Sequence, residues 1–316
     1  MAFDWNASGL TVVTLAALKE ALRSLEKDLD VYIAGGKGKT SRKTPDQIIS
    51  WSDKIGLSQK ISDTLVYSSK AAAKVDSALV QDGYQLYHHS FIFNKSGFWS
   101  VVQQGMNTKS KSARRYHWLS SQIDDFVEEP HFAISTQSKE ETVLDLTAKI
   151  SRKNKQISLE LLKDEKSFYR DLKIIEDKKT QSKFKILNLP GIEFNDHPVN
   201  NFDFSPQFKT ALNKAIISKP SNFESLLMTQ GVGPRTIRSL SLVAEVIYGA
   251  SPSYDDPARY SFSFGGKDAT PYPVDYLTYD KTLNILEKAI AKAKLPYSEK
   301  EQTFKQIGKL SKQFDH

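Results

Sequence analysis

Apolar and polar positions follow two rhythms along this chain, and each rhythm predicts an element. Residues 10–28, "LTVVTLAALKEALRSLEKD", repeat apolar side chains at helical spacing and gather charge toward the end, which predicts a helix. "DVYIAGG" is a short apolar run stopped by glycines, as expected of a buried strand entering a turn. Thr44 and Pro45 open "TPDQIISWSDKIG" as N-cap and first helical residue, so a helix follows. A Ser/Lys/Ala-rich helix covers about 62–80.

The period then drops to two. In residues 82–107, "DGYQLYHHSFIFNKSGFWSVVQQGMN", aromatic and β-branched runs flank "NKSG" and predict a β-hairpin. With Lys95-Ser96 at the turn, His88 faces Gln103 and His89 faces Val102. Leu86, His88, Trp99, Val101 and Gln103 then share one face, and Tyr87, His89, Phe91, Phe93 and Gln104 the other. "PHFAIS" fits a third strand. Residues 139–185 are dense in Lys, Glu and Asp and predict long exposed helices. A helical region follows from 204 to 250. A last helix, "YDKTLNILEKAIAKAKL", carries Leu283, Leu286, Ile290 and Ala293 on one face.

The expected fold class is therefore α+β. An N-terminal α/β domain (1–140) is built on a central β-hairpin or antiparallel sheet. A charged connector (141–200), a mostly α-helical C-terminal domain (201–296) and a charged tail (297–316) follow.

Composition narrows the function. The chain has 316 residues, 39% hydrophobic and 26% charged, which describes an ordinary globular protein. It has no cysteine, which excludes disulfides, thiolate metal sites and cysteine nucleophiles. No apolar run approaches the ~20 residues of a membrane helix, and "MAFDWNASGL" is not a signal peptide, so a cytoplasmic, nucleoid-associated protein is expected. The net charge of +7 is compatible with nucleic acid.

The positive charge is concentrated in places. "GGKGKTSRK" holds Lys37, Lys39, Arg42 and Lys43 with no acid among them. An ATP-binding Walker loop ending at Gly38-Lys39-Thr40 would need Gly at position 33, which is Ile33. The turn is expected to hold phosphate of a nucleic-acid backbone, and no organic cofactor is expected. A nucleotide-dependent enzyme is the weakest reading. Between Gly105 and Gln122 a second acid-free strip carries Arg114 and Arg115, also expected on DNA phosphate.

Residues 221–249, "SNFESLLMTQGVGPRTIRSLSLVAEVIYG", form the sharpest local motif. Ser221 and Glu224 have capping-box spacing. A short helix, Gly-Val-Gly and Pro234 at the start of a second helix resemble the helix-hairpin-helix motif of DNA-repair proteins. Gly231 and Gly233 let the backbone approach a phosphate, the free N–H groups of the second helix hold the anion, and Arg235 and Arg238 add charge. Such contacts read the DNA backbone and not the bases.

Four of six histidines, His88, His89, His117 and His131, lie near Asp76, Asp82, Glu128 and Glu129. Carboxylates with a His can hold Mg²⁺ or Mn²⁺ for phosphodiester hydrolysis. The expected metal residues are Asp76, Asp82, His88 and Glu129, and the expected catalytic residues are Asp82, His88, Gln103 and Lys39.

Over nearly its whole length the chain resembles the domain-of-unknown-function 763 family. The resemblance runs through "FDWNASGLT", "GGKGKTSRKTP", "AKVDSALVQDGYQLYHH", "VVQQGMN", "ARRYHW", "FVEEPH", "GVGPRTIRSL" and "FGGKDATPYPVD". It implies metal-dependent DNA cleavage coupled to a helix-hairpin-helix, in genome maintenance. It also implies a segment upstream of Phe3, and His and Ser in the stretch that here reads Asp4-Trp5-Asn6-Ala7-Ser8. Asn6 can offer a metal its carbonyl oxygen but accepts no proton at neutral pH. A homo-oligomer, or a partner chain supplying the upstream segment, is the matching expectation. The leading reading is a metal-dependent DNA nuclease. The alternative is a non-catalytic DNA-binding or architectural subunit, or half of a split nuclease.

Overall fold

The computed structural model describes residues 5–109, 112–136, 139–181 and 206–258, with scattered positions from 281 to 304. The side chains of 5–10 and 176–181 are outside the description, as is the expected apolar face Leu283, Leu286, Ile290 and Ala293. The fold is α+β, as the two rhythms predict.

Its centre is a five-stranded antiparallel sheet in the order β1-β3-β4-β5-β6. The strands are β1 (Tyr32–Lys37), β3 (Gln85–Phe93), β4 (Trp99–Asn107), β5 (Ser112–Leu119) and β6 (Ala133–Ser135). A two-stranded sheet joins β2 (Val80–Gln81) to β7 (Leu144–Asp145). Helix α1 (Trp5–Ala21) and the short α2 (Glu26–Leu29) precede β1. After β1, a 3-10 turn over Gly38–Lys43 leads into α3 (Thr44–Ile55) and α4 (Gln59–Ala78). Thr44 is the first residue of α3 and Lys43 its cap, one residue earlier than expected.

The hairpin register is shifted by one from the expected pairing. His89 faces Gln103 and His88 faces Gln104, with Phe93 opposite Trp99. Gly97 is the cause. It turns with φ +82°, and its N–H donates to the Asn94 carbonyl, so the loop holds three residues and not two. A bulge between Leu86 and His88 then resets the pairing. Because side chains alternate, the slip moves Gln103 onto the face of His89, Phe91 and Phe93. That face packs Phe91, Phe93, Trp99, Val101 and Trp118 with Leu65, Ala72 and Val75 of α4.

β5 differs from the basic surface strip expected of its sequence. It is a strand paired on both sides, with Tyr116 and Trp118 buried. An arginine at an inward position hides the alternation that would have marked it.

The charged region after 139 also differs from its expected exposure. Val143, Leu144 and Leu146 are fully buried. Helix α5 (Arg152–Glu160) packs on α9 (Pro234–Val246), where Asn154 donates to the carbonyls of Ser241 and Ala250 at 2.9 and 2.7 Å. From α6 (Glu165–Gln181), Phe168, Leu172 and Ile175 join the same core as the sheet. Helices α7 (Pro206–Ser218), α8 (Phe223–Met228) and α9 complete that core.

Candidate functional site

Four elements distant in sequence form one cavity of about 550 Å³. Ser41, Arg42 and Thr44 of the basic turn line one side, and Met228, Gln230 and Gly231 of the α8–α9 turn line another. Between them lie Ser69, Lys70 and Lys74 of α4 with His88, His89 and Gln103 of the hairpin. Among these lining residues three are cations and none is a carboxylate, which suits an anionic ligand.

The α8–α9 turn is fixed from both ends. Asn222 and Ser225 form the capping box of α8, one residue later than expected, and Glu224 is instead hydrogen-bonded by the Tyr67 hydroxyl. Lys74 donates to the carbonyls of Leu227, Thr229 and Val232 at 2.7, 3.0 and 3.0 Å. These contacts satisfy three carbonyls of the turn, and α9 opens after it with Gly233 as N-cap and Pro234 in its first turn. Gly231 has φ +94°, whereas Gly233 is extended and a Cβ there would meet nothing within 4 Å.

The predicted phosphate residues divide. Lys37, Lys39 and Arg42 are exposed on the basic turn, and Arg42 lines the cavity. Arg235 is exposed at the start of α9, but Arg238 is turned inward and its Nε donates to Gln81 at 2.6 Å. Arg115 lies half-buried opposite Gln104 in the sheet, near Thr11 and Ser135 at 3.3 Å each, and is not among the residues lining the cavity. Arg114, expected on DNA, is wholly buried. It bridges Asp82 at 2.9 Å and Asp256 at 2.6 Å, and the two carboxylates hold its pKa up. An arginine so enclosed ties residue 256 to the sheet and cannot reach a surface phosphate.

The expected metal residues do not meet as a set. Asp82 accepts from Arg114 and the Tyr116 hydroxyl, and burial pushes its carboxyl up to about 6. Asp76 accepts from Trp118 Nε1 at 3.1 Å and from Gln103, and meets His131. Glu129 lines a separate cleft of about 320 Å³, beside Asp145 and Asp255, and pairs with Lys149 at 3.2 Å. His88 alone of the four lines the larger cavity. Its Nε2 meets Ser90 at 2.9 Å, while its buried Nδ1 has no partner. Among the described residues no group of three or more His, Asp or Glu could hold a metal ion. The expected Mg²⁺ or Mn²⁺ ligands therefore do not fit the ion together. Lys39, expected as catalytic, is exposed on the turn and does not line the cavity; Asn6 has no described side chain.

Sequence reasoning missed Ser69, which lies beside His89. Ser69 Oγ is 2.9 Å from His89 Nε2, and His89 Nδ1 is 2.9 Å from Gln103 Oε1. The roles follow from the far end. Trp118 Nε1 can only donate, so Asp76 accepts, and the Gln103 amide turns its NH₂ toward the same carboxylate. Gln103 Oε1 then accepts from His89 Nδ1–H, which leaves Nε2 to accept from the Ser69 hydroxyl. Burial lowers the pKa of His89, keeping its imidazole neutral. The available signal was two serines inside an alanine-rich helix, where their hydroxyls gain nothing from the helix itself.

No helix among the described residues is long and apolar enough to cross a membrane. A family model described as a protein of unknown function (DUF763) matches residues 1–274. No curated protein and no solved structure matches.

Proposed function

We propose that this chain, which belongs to the family described as protein of unknown function (DUF763), binds the sugar-phosphate backbone of DNA in the larger cavity and hydrolyses phosphodiester bonds there. The observation that carries the reading is the shared cavity. Arg42 of the basic turn and Gly231 of the α8–α9 turn, nearly 190 residues apart, line one space with Lys70 and Lys74 of α4, and no carboxylate is among its described lining. A helix N-terminus with a glycine turn offers N–H groups to a phosphate, and exposed lysine and arginine offer charge. Such contacts are independent of base sequence. A role in DNA repair or genome maintenance, and a place at the nucleoid, go with this reading.

A second reading, a non-catalytic DNA-binding or architectural subunit, is favoured by one observation. The carboxylates of Asp76 and Asp82 are fully engaged inside the protein.

The test is to titrate the whole chain into labelled single- and double-stranded oligonucleotides and supercoiled plasmid, with Mg²⁺, Mn²⁺ or EDTA, beside the Lys39→Ala/Arg42→Ala double variant. Binding that weakens equally on unrelated sequences in the variant supports the cavity as the DNA site, and strand cleavage supports the nuclease reading. Unchanged affinity in the variant removes this reading. Binding without cleavage in any arm leaves the second.

A further inference from the structure

We infer that Ser69 is a nucleophile toward a DNA phosphodiester, with His89 as its general base and Gln103 and Asp76 as the positioning residues behind that base. The inference rests on the cavity being the DNA-backbone site.

Four observations lead there. First, the hydroxyls of Ser52, Thr64 and Ser77 turn back onto their own helices, to the carbonyls of Ile48, Lys60 and Lys74. Ser69, in the middle of α4, instead meets the imidazole of His89 across to the sheet. Second, the order of donors from Trp118 through Asp76, Gln103 and His89 fixes the one tautomer that can take a proton from Ser69. A nucleophile bonded to a base that is itself oriented by a third group is the arrangement that activates a hydroxyl. Third, Ser69, His89 and Gln103 all line the cavity, beside Arg42 and Lys70. These two cations suit the charge of a phosphoryl group under attack. Fourth, His88 Nδ1 is buried at the same cavity without a partner, so a polar ligand there completes it.

The chemistry balances with DNA and water alone. The Ser69 Oγ forms a bond to phosphorus as its proton passes to His89 Nε2. The bond from phosphorus to one sugar oxygen breaks, and that oxygen takes the proton from Nε2. A phosphoseryl–DNA diester remains. Water then attacks phosphorus and gives a proton to Nε2. The P–Oγ bond breaks, and Oγ regains its hydrogen.

The experiment uses the whole chain in EDTA with end-labelled oligonucleotides, quenched with denaturant and resolved for a covalent protein–DNA adduct. We expect cleavage in EDTA, an adduct mapping by mass to the peptide that holds Ser69, and loss of both in Ser69→Ala with DNA affinity kept within about twofold. His89→Gln should slow cleavage by about 10²- to 10⁴-fold, the usual range for a general base. Ser69→Thr, which keeps a hydroxyl, should restore part of the adduct, and Ser77→Ala on the same helix should leave it unchanged. Thermal melting checks that each variant is folded. DNA bound but uncut in EDTA, or cleavage that survives in Ser69→Ala, overturns the nucleophile and leaves the DNA-binding reading standing. Failure to bind DNA at all overturns that reading, and this inference with it.

Discussion

Arg114 shows how burial changes what a charged residue does. Its guanidinium reaches Asp82 and Asp256, both within the protein, and stacks 4.6 Å from the Tyr84 ring. Removing it leaves two buried carboxylates without their cation. Arg114→Met should therefore lower unfolding free energy by about 3–5 kcal/mol, the range for breaking a buried ion pair from one side. Urea denaturation measures this, and a loss near zero would show that the carboxylates find other partners. Histidines on the sheet have the opposite electrostatic sense. Burial pulls His88 and His117 from 6.5 down to about 4, with His89 adding to the first and Arg115 and His131 to the second. The unfolded chain takes up these protons near 6.5, whereas the folded chain resists until about 4. Their contribution is thus complete above 6.5 and is lost as pH falls toward 4. The melting temperature should drop across that window, and His88→Gln/His117→Gln should flatten the drop. An identical slope in the double variant would assign the effect to other groups.

At the scale of elements, the two glycines of the α8–α9 turn do different work. Gly231 sits at φ +94°, where a side chain strains the backbone by about 1–2 kcal/mol. Gly233 is extended, with open space where a Cβ would stand. Gly231→Val should lower both stability and DNA affinity. Gly233→Val should leave the melting temperature unchanged and still weaken DNA binding, because only the approach of a phosphate is blocked. Comparing melts with binding isotherms separates the two, and full affinity in Gly233→Val would remove this turn from the interface. Gly35 is required for a third reason. A Cβ there would lie 2.1 Å from the His89 carbonyl oxygen, so β1 could not keep its place beside β3.

Across the whole molecule, the α8–α9 turn proposed to bind phosphate is held in place by the core itself. Lys74 ties α4 to the α8–α9 turn, Asn154 ties α5 to α9, and Asp256 ties the chain beyond α9 to β5. A cavity framed this way should bind DNA without the parts moving far, and its affinity should depend on phosphate charge. The logarithm of affinity should fall linearly with the logarithm of salt concentration. The slope should be smaller by about 2 in Lys39→Ala/Arg42→Ala, roughly one for each phosphate that is no longer neutralised. A slope that does not change would mean that neither cation touches a phosphate.

Much of this protein was legible as local pattern. The helices, β1, the hairpin and the glycine turn before Pro234 all follow from period, caps and glycines, because those signals act within a few residues. The acid-free basic turn was also visible, since charge is written in the sequence whatever its surroundings. Tertiary structure alone decided the rest. One extra loop residue, Gly97, set the hairpin register and so brought Gln103 to His89. Arg114 was drawn from an expected surface into the core by carboxylates 32 and 142 residues away. Ser69 gained a base only because α4 crosses the sheet at that point. Long-range pairing has no local signature, since its free energy comes from groups that meet only when the chain has closed.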